Sequence, residues 1–296
     1  MIGFVLSTTA VLLTLLILTL YEAKRRRAAL LDTVEAVTLP EFASAELGNS
    51  REITVFLPPG YGQAGTRRYP TLYVNDGQDQ EALQLRETLA KLFRRRQLPP
   101  IIVVAVPAND DRLHEYGTAV CSNAQELGTR AAAYGRFLTT ELMPAMNQQF
   151  RTSHNPSDVG IFGVSLGGLS AFDIAWNHPD LFGIVGVMSG SFWWRAGKNE
   201  TMMPANQLIA QEMVKGTAVK PHLRLWFEAA TQDEASDRDH NGVIDAIQDT
   251  LELIEELEKI GFGRGEDVAY VEVPGGRHNY DTWSQQFPHF LRWAFG

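Results

Sequence analysis

The fold is decided by one stretch of the sequence, Val159-Gly160-Ile161-Phe162-Gly163-Val164-Ser165-Leu166-Gly167-Gly168. Its first part, 159–164, is almost continuously apolar, which is typical of a strand buried on both faces of a sheet. A helical stretch, Gly168 to Asn177, follows it. Between them, residues 163–167 match G-x-S-x-G, the pattern of a nucleophile elbow, in which a tight turn lifts a serine hydroxyl above the sheet. We therefore predict that Ser165 is a nucleophile; the alternative is an ordinary glycine-rich turn.

Apolar runs alternate with helical patterns along the rest of the chain. Further buried strands are predicted at Thr71–Asn75, Ile101–Val106, Gly183–Met188, Leu223–Ala229 and Val268–Val273. Amphipathic helices are predicted at the apolar stripes Leu85–Phe93, Tyr134–Leu142 and Ile247–Leu257. A two-stranded hairpin is predicted over Val34–Leu57, with its turn at Gly48-Asn49-Ser50. The alternation predicts an α/β-hydrolase fold, a mostly parallel central sheet with helices on both faces.

Composition excludes some classes of protein and site. The chain of 296 residues has a formal charge of -9, which argues against a nucleic-acid partner. Cys121 is the single cysteine, so neither an internal disulfide nor a cysteine-based metal site is expected. Nothing in the sequence indicates an oligomeric state.

The amino-terminal residues differ from the rest. Ile2 to Tyr21 carry no charge, and twenty helical residues rise about 30 Å, the thickness of a bilayer core. We predict a transmembrane anchor with a basic flank over 1–27, a tether and first strand over 28–50, and the hydrolase domain over 51–296. The cluster Lys24-Arg25-Arg26-Arg27 follows the span, which places the catalytic domain in the cytoplasm. A cleaved leader and export are the alternative.

A serine nucleophile needs a base and an acid, in the chain order Ser, Asp or Glu, His. His278 lies in a glycine-rich loop directly after the last predicted strand, where such folds place catalytic groups. The loop after Leu223–Ala229 supplies Asp233 first and Glu234 second. Spacing alone does not choose between these carboxylates; we favour Asp233 and keep Glu234 as the alternative acid.

An oxyanion hole needs two backbone N–H groups. Leu166, directly after the nucleophile, is predicted to supply one, and Gln78, in the loop after Thr71–Asn75, the other. The predicted substrate pocket consists of charged and aromatic side chains, although buried structural aromatics are the alternative. These candidates are Arg112, Tyr116, Phe192, Trp193 and Trp194.

Together these motifs resemble an esterase family that includes enterochelin esterases, the esterase D type, feruloyl esterases and mycolyltransferases. The resemblance covers about residues 51 to 296 and rests on several short motifs: Leu57-Pro58-Pro59-Gly60-Tyr61, Tyr69–Gln78, Asp111–Gly117, Glu141–Pro144, Ile161–Ala171, His178–Gly183 and Ser189–Trp194. It implies hydrolysis of a small-molecule carboxylic ester without a cofactor for the chemistry, and it supports Gln78 as an oxyanion donor. Ala230 departs from the pattern, because the family has glycine there.

A calcium site is predicted just after the acid loop. The stretch Asp237-Arg238-Asp239-His240-Asn241-Gly242-Val243-Ile244-Asp245 resembles a D-x-[DN]-x-[DN]-G calcium loop. Its ligands would be Asp237, Asp239, Asn241, the Val243 carbonyl and Asp245. Gln248 stands where a bidentate carboxylate belongs, so a structural calcium would bind weakly. The alternative is a solvated acidic turn that caps the next helix.

The sequence therefore predicts a serine carboxylic-ester hydrolase that works through an acyl-enzyme. One alternative is an acyltransferase with the same triad. Another is a membrane-tethered binding module without catalysis.

Overall fold

The computed structural model describes residues 2–63, 65–197, 202–204, 206–218 and 221–296, with side chains from residue 10 onward. The strands are β1 Glu35–Ser44, β2 Asn49–Leu57, β3 Thr71–Asn75, β4 Ile102–Val106, β5 Val159–Val164, β6 Ile184–Met188, β7 Arg224–Gln232 and β8 Val268–Arg277. The α-helices are α1 Ile2–Leu31, α2 Leu85–Arg94, α3 Arg112–Glu115, α4 Ala131–Arg136, α5 Met143–Gln149, α6 Ser165–Asn177, α7 Ile209–Lys215, α8 Asp245–Lys259 and α9 Tyr280–Phe295. A π-helical segment, Phe137–Leu142, joins α4 to α5.

The strands form one eight-stranded sheet in the order β1-β2-β4-β3-β5-β6-β7-β8. β1 pairs with β2, and β2 with β4, in antiparallel fashion, and every later pair is parallel. The predicted α/β architecture with a mostly parallel sheet is thereby confirmed. Because β3, β5, β6, β7 and β8 run in the same direction, the loops that follow them meet at one edge of the sheet.

Each central strand contributes to two apolar layers. In β3, Tyr73 faces the layer that contains Phe172 of α6, whereas Leu72 and Val74 face the layer that contains Phe287 of α9. The three middle residues of β3, Leu72 to Val74, are all buried, which explains why they are apolar without alternation. Helices cover both faces, as predicted.

The predicted hairpin forms, but its turn lies earlier than expected. Ser44 pairs with Asn49, so the turn is 45–48 rather than 48–50, and Gly48 adopts the left-handed φ of 62° at its end. The Glu141 carboxylate fixes this turn, because it accepts hydrogen bonds from the Ser44 hydroxyl and from the amides of residues 45 and 46.

The amino-terminal prediction is not supported. Among the residues that the structure describes, no helix has the length and apolarity needed to cross a membrane. The side chains of residues 2–9, which belong to the predicted span, lie outside the described part. In the part of helix α1 with described side chains, which begins at Ala10, Glu22 is the first charged residue. The helix continues through the basic cluster to Leu31. Arg27 then contacts Glu87 of α2 at 3.0 Å.

Candidate active site

Ser165 lies at a sharp turn between β5 and α6. Its φ is 54°, in the left-handed region that side chains other than glycine rarely adopt. A Cβ on Gly163 would overlap the Gly167 carbonyl group, and one on Gly168 would lie 2.7 Å from Val187. The turn is therefore as tight as the motif predicted, and the Ser165 side chain stands at the amino end of a helix.

His278 follows β8 and lies opposite this serine. Its Nε2 is 2.9 Å from Ser165 Oγ, although the two residues are 113 positions apart. The next residue, Asn279, caps α9 by accepting the Thr282 N–H at 3.1 Å, and the Arg277 N–H donates to Thr282 Oγ1 at 2.8 Å. The structure thus brings the predicted nucleophile and base together. The capped helix α9 holds the short loop that carries His278.

Asp233 follows β7, and its side chain is fully buried. Its Oδ1 lies 3.7 Å from His278 Nδ1, which is within ion-pair range but longer than a hydrogen bond. The adjacent Glu234 is exposed and lines the cavity beside His278. Partial burial is the main cause that raises the pKa of Glu234.

Three polar residues behind Asp233 and His278 were not predicted from the sequence. Ser189 Oγ donates to Asp233 Oδ1 at 2.9 Å, and Trp283 Nε1–H donates to Ser189 Oγ at 2.9 Å. Glu228 of β7 lies beside them, and burial, together with the Asp233 charge, raises its pKa to about 8. Ser189 and Trp283 are 94 residues apart, so no local pattern could have paired them.

The predicted oxyanion loop is fastened to α3 and to Tyr116 directly after it. Gln78 lies in a 3-10 turn, Gly77–Asp79, directly after Asp76, which has a φ of 56°. The Arg112 guanidinium binds the Asp76 carboxylate through two hydrogen bonds, of 2.6 and 2.7 Å. The Asp76 N–H donates to the Tyr116 hydroxyl at 2.9 Å. Arg112 and Tyr116, predicted as pocket residues, therefore bind this loop.

The aromatic pocket candidates separate into two groups. Phe192 and Trp194 are buried in the core, where Phe192 packs against Phe172 and Phe227. This corrects their predicted place in the pocket. Trp193 is 47% exposed and lines a cavity of about 220 Å³ that also touches His278. Trp193 is thus the aromatic candidate that faces the site.

Comparison with known proteins identifies the family. The sequence model of the family described as "Putative esterase" matches residues 44–294. The chain belongs to this esterase family.

Curated relatives of this esterase are distant. "Uncharacterized protein YbbA" of Bacillus subtilis strain 168 is 23% identical over 257 residues, covering 86% of this chain and 96% of that protein. The iron(III) enterobactin esterase of Escherichia coli O6:H1 is 28% identical over 193 residues, covering 64% of this chain. The esterase spans only 44% of the length of that enzyme.

Solved structures share the fold of the esterase. The enterobactin esterase of Shigella flexneri, solved in the presence of enterobactin, matches with a TM-score of 0.66 and 22% identity over 88% of this chain and 58% of that one. A ferulic acid esterase matches with a TM-score of 0.68 and 18% identity over 89% of this chain and 98% of that one.

The predicted calcium loop of the esterase is held by its own side chains. Asp237 accepts the amides of Asn241 and Gly242, and Asp239 accepts from the Gln248 side chain. Arg238 forms ion pairs with Asp245, Asp249 and Glu252. Within the described residues, no group of three or more His, Cys, Asp or Glu side chains is placed to hold a metal ion. Calcium binding stays a prediction.

Proposed function

We propose that this esterase is a serine carboxylic-ester hydrolase that forms an acyl-enzyme on Ser165. The observation that carries the proposal is the 2.9 Å contact between His278 Nε2 and the Ser165 hydroxyl at the elbow. At this distance the imidazole can take the serine proton as the oxygen attacks the ester carbonyl, and later return it to the leaving alcohol.

Asp233 is the acid in this proposal. A carboxylate near Nδ1 orients the imidazole and stabilises the imidazolium that forms during the reaction. The 3.7 Å separation is longer than a hydrogen bond, but such contacts commonly tighten only when substrate binds. Of the two adjacent candidates, Asp233 has the buried side chain within ion-pair range of His278.

The Leu166 and Gln78 amides are the proposed oxyanion donors. Leu166 lies in the first turn of α6, where N–H groups have no acceptor within the helix. The Gln78 side chain is engaged elsewhere, because its Oε1 accepts the Ala108 N–H at 2.8 Å, so its backbone N–H is the group offered to substrate. Two such donors stabilise the negative oxygen of the tetrahedral intermediate.

Water is the proposed acyl acceptor. The His278 side chain is 41% exposed, so water can reach the imidazole that would activate it. An acyltransferase with the same triad would have to exclude that water. The names of the relatives favour small-molecule esters, since those relatives are enterobactin and ferulic acid esterases.

The test combines active-site labelling with turnover of an aryl ester. Ser165→Ala should abolish fluorophosphonate labelling and lower kcat by about a thousandfold or more, without unfolding the protein. Ser170→Ala on the same helix is the matched control. Asp233→Asn should lower kcat far more than Glu234→Gln. Labelling retained in Ser165→Ala would contradict the nucleophile, and a larger loss in Glu234→Gln would reverse the assignment of the acid.

A further inference from the structure

The Asp233 carboxylate is held by donors other than His278. Ser189 Oγ donates to its Oδ1 at 2.9 Å, and the Ala230 N–H donates to its Oδ2 at 3.0 Å. Both distances are shorter than the 3.7 Å between Oδ1 and His278 Nδ1. The place of the carboxylate is therefore set by Ser189 and Ala230 before the imidazole engages it.

The direction of the Ser189 hydroxyl is set by Trp283. An indole N–H can only donate, so Ser189 Oγ accepts from Trp283 at 2.9 Å and sends its own proton to another group. The candidate acceptors are Asp233 Oδ1 at 2.9 Å and Glu228 Oε2 at 3.5 Å, and the shorter contact is with Asp233. Trp283 also packs edge-on against His278, with 5.1 Å between ring centroids. One indole thus contacts both the base and the residue that holds the acid.

The backbone at Ser189 suits glycine better than serine. Its φ is 47°, a left-handed conformation that costs free energy for any residue with a Cβ. The Ser189 N–H donates to the Glu228 carbonyl at 2.8 Å, and a glycine would make the same bond. The backbone therefore gives no reason for a side chain at this position, whereas the hydroxyl contacts do.

We propose that Ser189 is a positioning residue: its hydroxyl, oriented by Trp283, holds the Asp233 carboxylate where it can support His278. This inference rests on the proposed function, because it assigns Asp233 as the acid. Ser189 touches no reacting atom, so its effect reaches the substrate only through Asp233 and His278.

Ser189→Gly in the full chain is the decisive variant, since it removes the hydroxyl and relieves the backbone. We expect kcat for an aryl ester to fall between about tenfold and a hundredfold, with little change in KM, because the acid is misplaced while the substrate pocket is intact. We expect the melting temperature to change little or fall slightly, because relief of the backbone partly offsets the loss of the two hydrogen bonds. A purely structural role predicts the opposite pattern, an unchanged kcat.

Two further variants complete the experiment. Arg96→Gly relieves a similar left-handed φ of 54° at the end of α2, away from the site, and should leave kcat unchanged. Trp283→Phe removes the donor that orients Ser189 and should lower kcat; a wild-type kcat would overturn the role of Trp283. A wild-type kcat in Ser189→Gly would overturn the role of Ser189.

Ser165→Ala in the same assay separates this failure from a failure of the proposed function. If Ser165→Ala is inactive while Ser189→Gly keeps the wild-type kcat, only the role of Ser189 is refuted. An active Ser165→Ala would refute the proposed function itself.

Discussion

At the scale of single residues, two buried carboxylates beside the site differ in their hydrogen bonds. Asp233 accepts one bond at each oxygen. Glu228 has only the 3.5 Å contact from Ser189 at Oε2, and its Oε1 has no partner among the described residues. Burial and the nearby Asp233 charge outweigh this weak contact and raise the pKa of Glu228 to about 8, which favours its neutral form near pH 7.

Glu228 should make the stability of the protein depend on pH. Its pKa in the fold, about 8, lies above the usual 4.5, so its contribution to stability is complete below pH 4.5 and is lost as the pH rises through 8. Relative to Glu228→Gln, the wild type should lose roughly 3 to 5 kcal/mol of unfolding free energy between pH 4.5 and pH 9. Urea unfolding of both proteins across this range measures the difference. Parallel pH dependences would contradict the neutral state of Glu228.

At the scale of elements, helix α9 connects the loop of His278 to the core. It begins two residues after His278, its cap is Asn279, and its residues Phe287 and Phe290 are buried against Phe162 of β5. The strand before Ser165 and the helix after His278 therefore share one apolar layer. The position of His278 depends on how firmly the first turn of α9 is formed.

Asn279→Ala should weaken both the helix and the site. Loss of an N-cap costs about 1 kcal/mol of unfolding free energy, and fraying of this turn would move His278 relative to Ser165. We expect a severalfold fall in kcat/KM beside that loss. Asn155→Ala is the matched control, because Asn155 caps the 3-10 turn Pro156–Asp158. The control should lower denaturant stability and leave kcat/KM unchanged; equal effects of both variants on kcat/KM would refute the link.

The elements themselves were largely predictable, for a physical reason. Strands buried on both faces are apolar without interruption, and β3 and β5 have the predicted bounds. β7 and β8 extend beyond their predicted ends, because the apolar pattern that predicted them stops before Thr231 and Gln232 in β7 and before the Pro274-Gly275-Gly276-Arg277 end of β8. The apolar stripe Tyr134–Leu142 was predicted as one helix, but it is divided between α4 and a π-helical segment.

At the scale of the whole molecule, the sequence predicted the place of Ser165 and His278 because each follows a strand of a parallel sheet. It did not predict the groups that position them. Ser189 follows β6, Trp283 belongs to α9, and the Arg112–Asp76 pair joins α3 to the loop after β3. Such contacts form between elements that are distant in sequence. They depend on the directions of side chains at the edge of the sheet, which no local sequence pattern specifies. The topology, with β4 between β2 and β3, is likewise set by long-range packing.

From Ala10 onward, where its side chains are described, helix α1 has little contact with the rest of the molecule until its last turns. Between Val11 and Tyr21, its large apolar side chains are 54 to 67% exposed. Near its end, Arg27 pairs with Glu87, and Leu30 packs against the apolar layer of α2 and α9. The following Val34 is fully buried, and its carbonyl accepts a 2.9 Å hydrogen bond from Arg86. The attachment of this segment to the fold therefore begins near Leu30.

A pair of truncations tests this boundary. A chain beginning at Ala28 keeps Leu30 and Val34 and should retain the melting temperature and the kcat/KM of the full protein. A chain beginning at Glu35 loses both residues and should lose about 2 to 5 kcal/mol of unfolding free energy, since a fully buried aliphatic side chain such as Val34 contributes about 1.5 to 3 kcal/mol and the partly buried Leu30 contributes less. Its kcat should change little, because the site lies at the far ends of β5, β7 and β8. Thermal melts and aryl-ester hydrolysis measure both quantities. If the chain beginning at Ala28 melted as low as the shorter one, the exposed part of α1 would have to contribute to stability, and the contacts near Leu30 and Val34 would not be the attachment point.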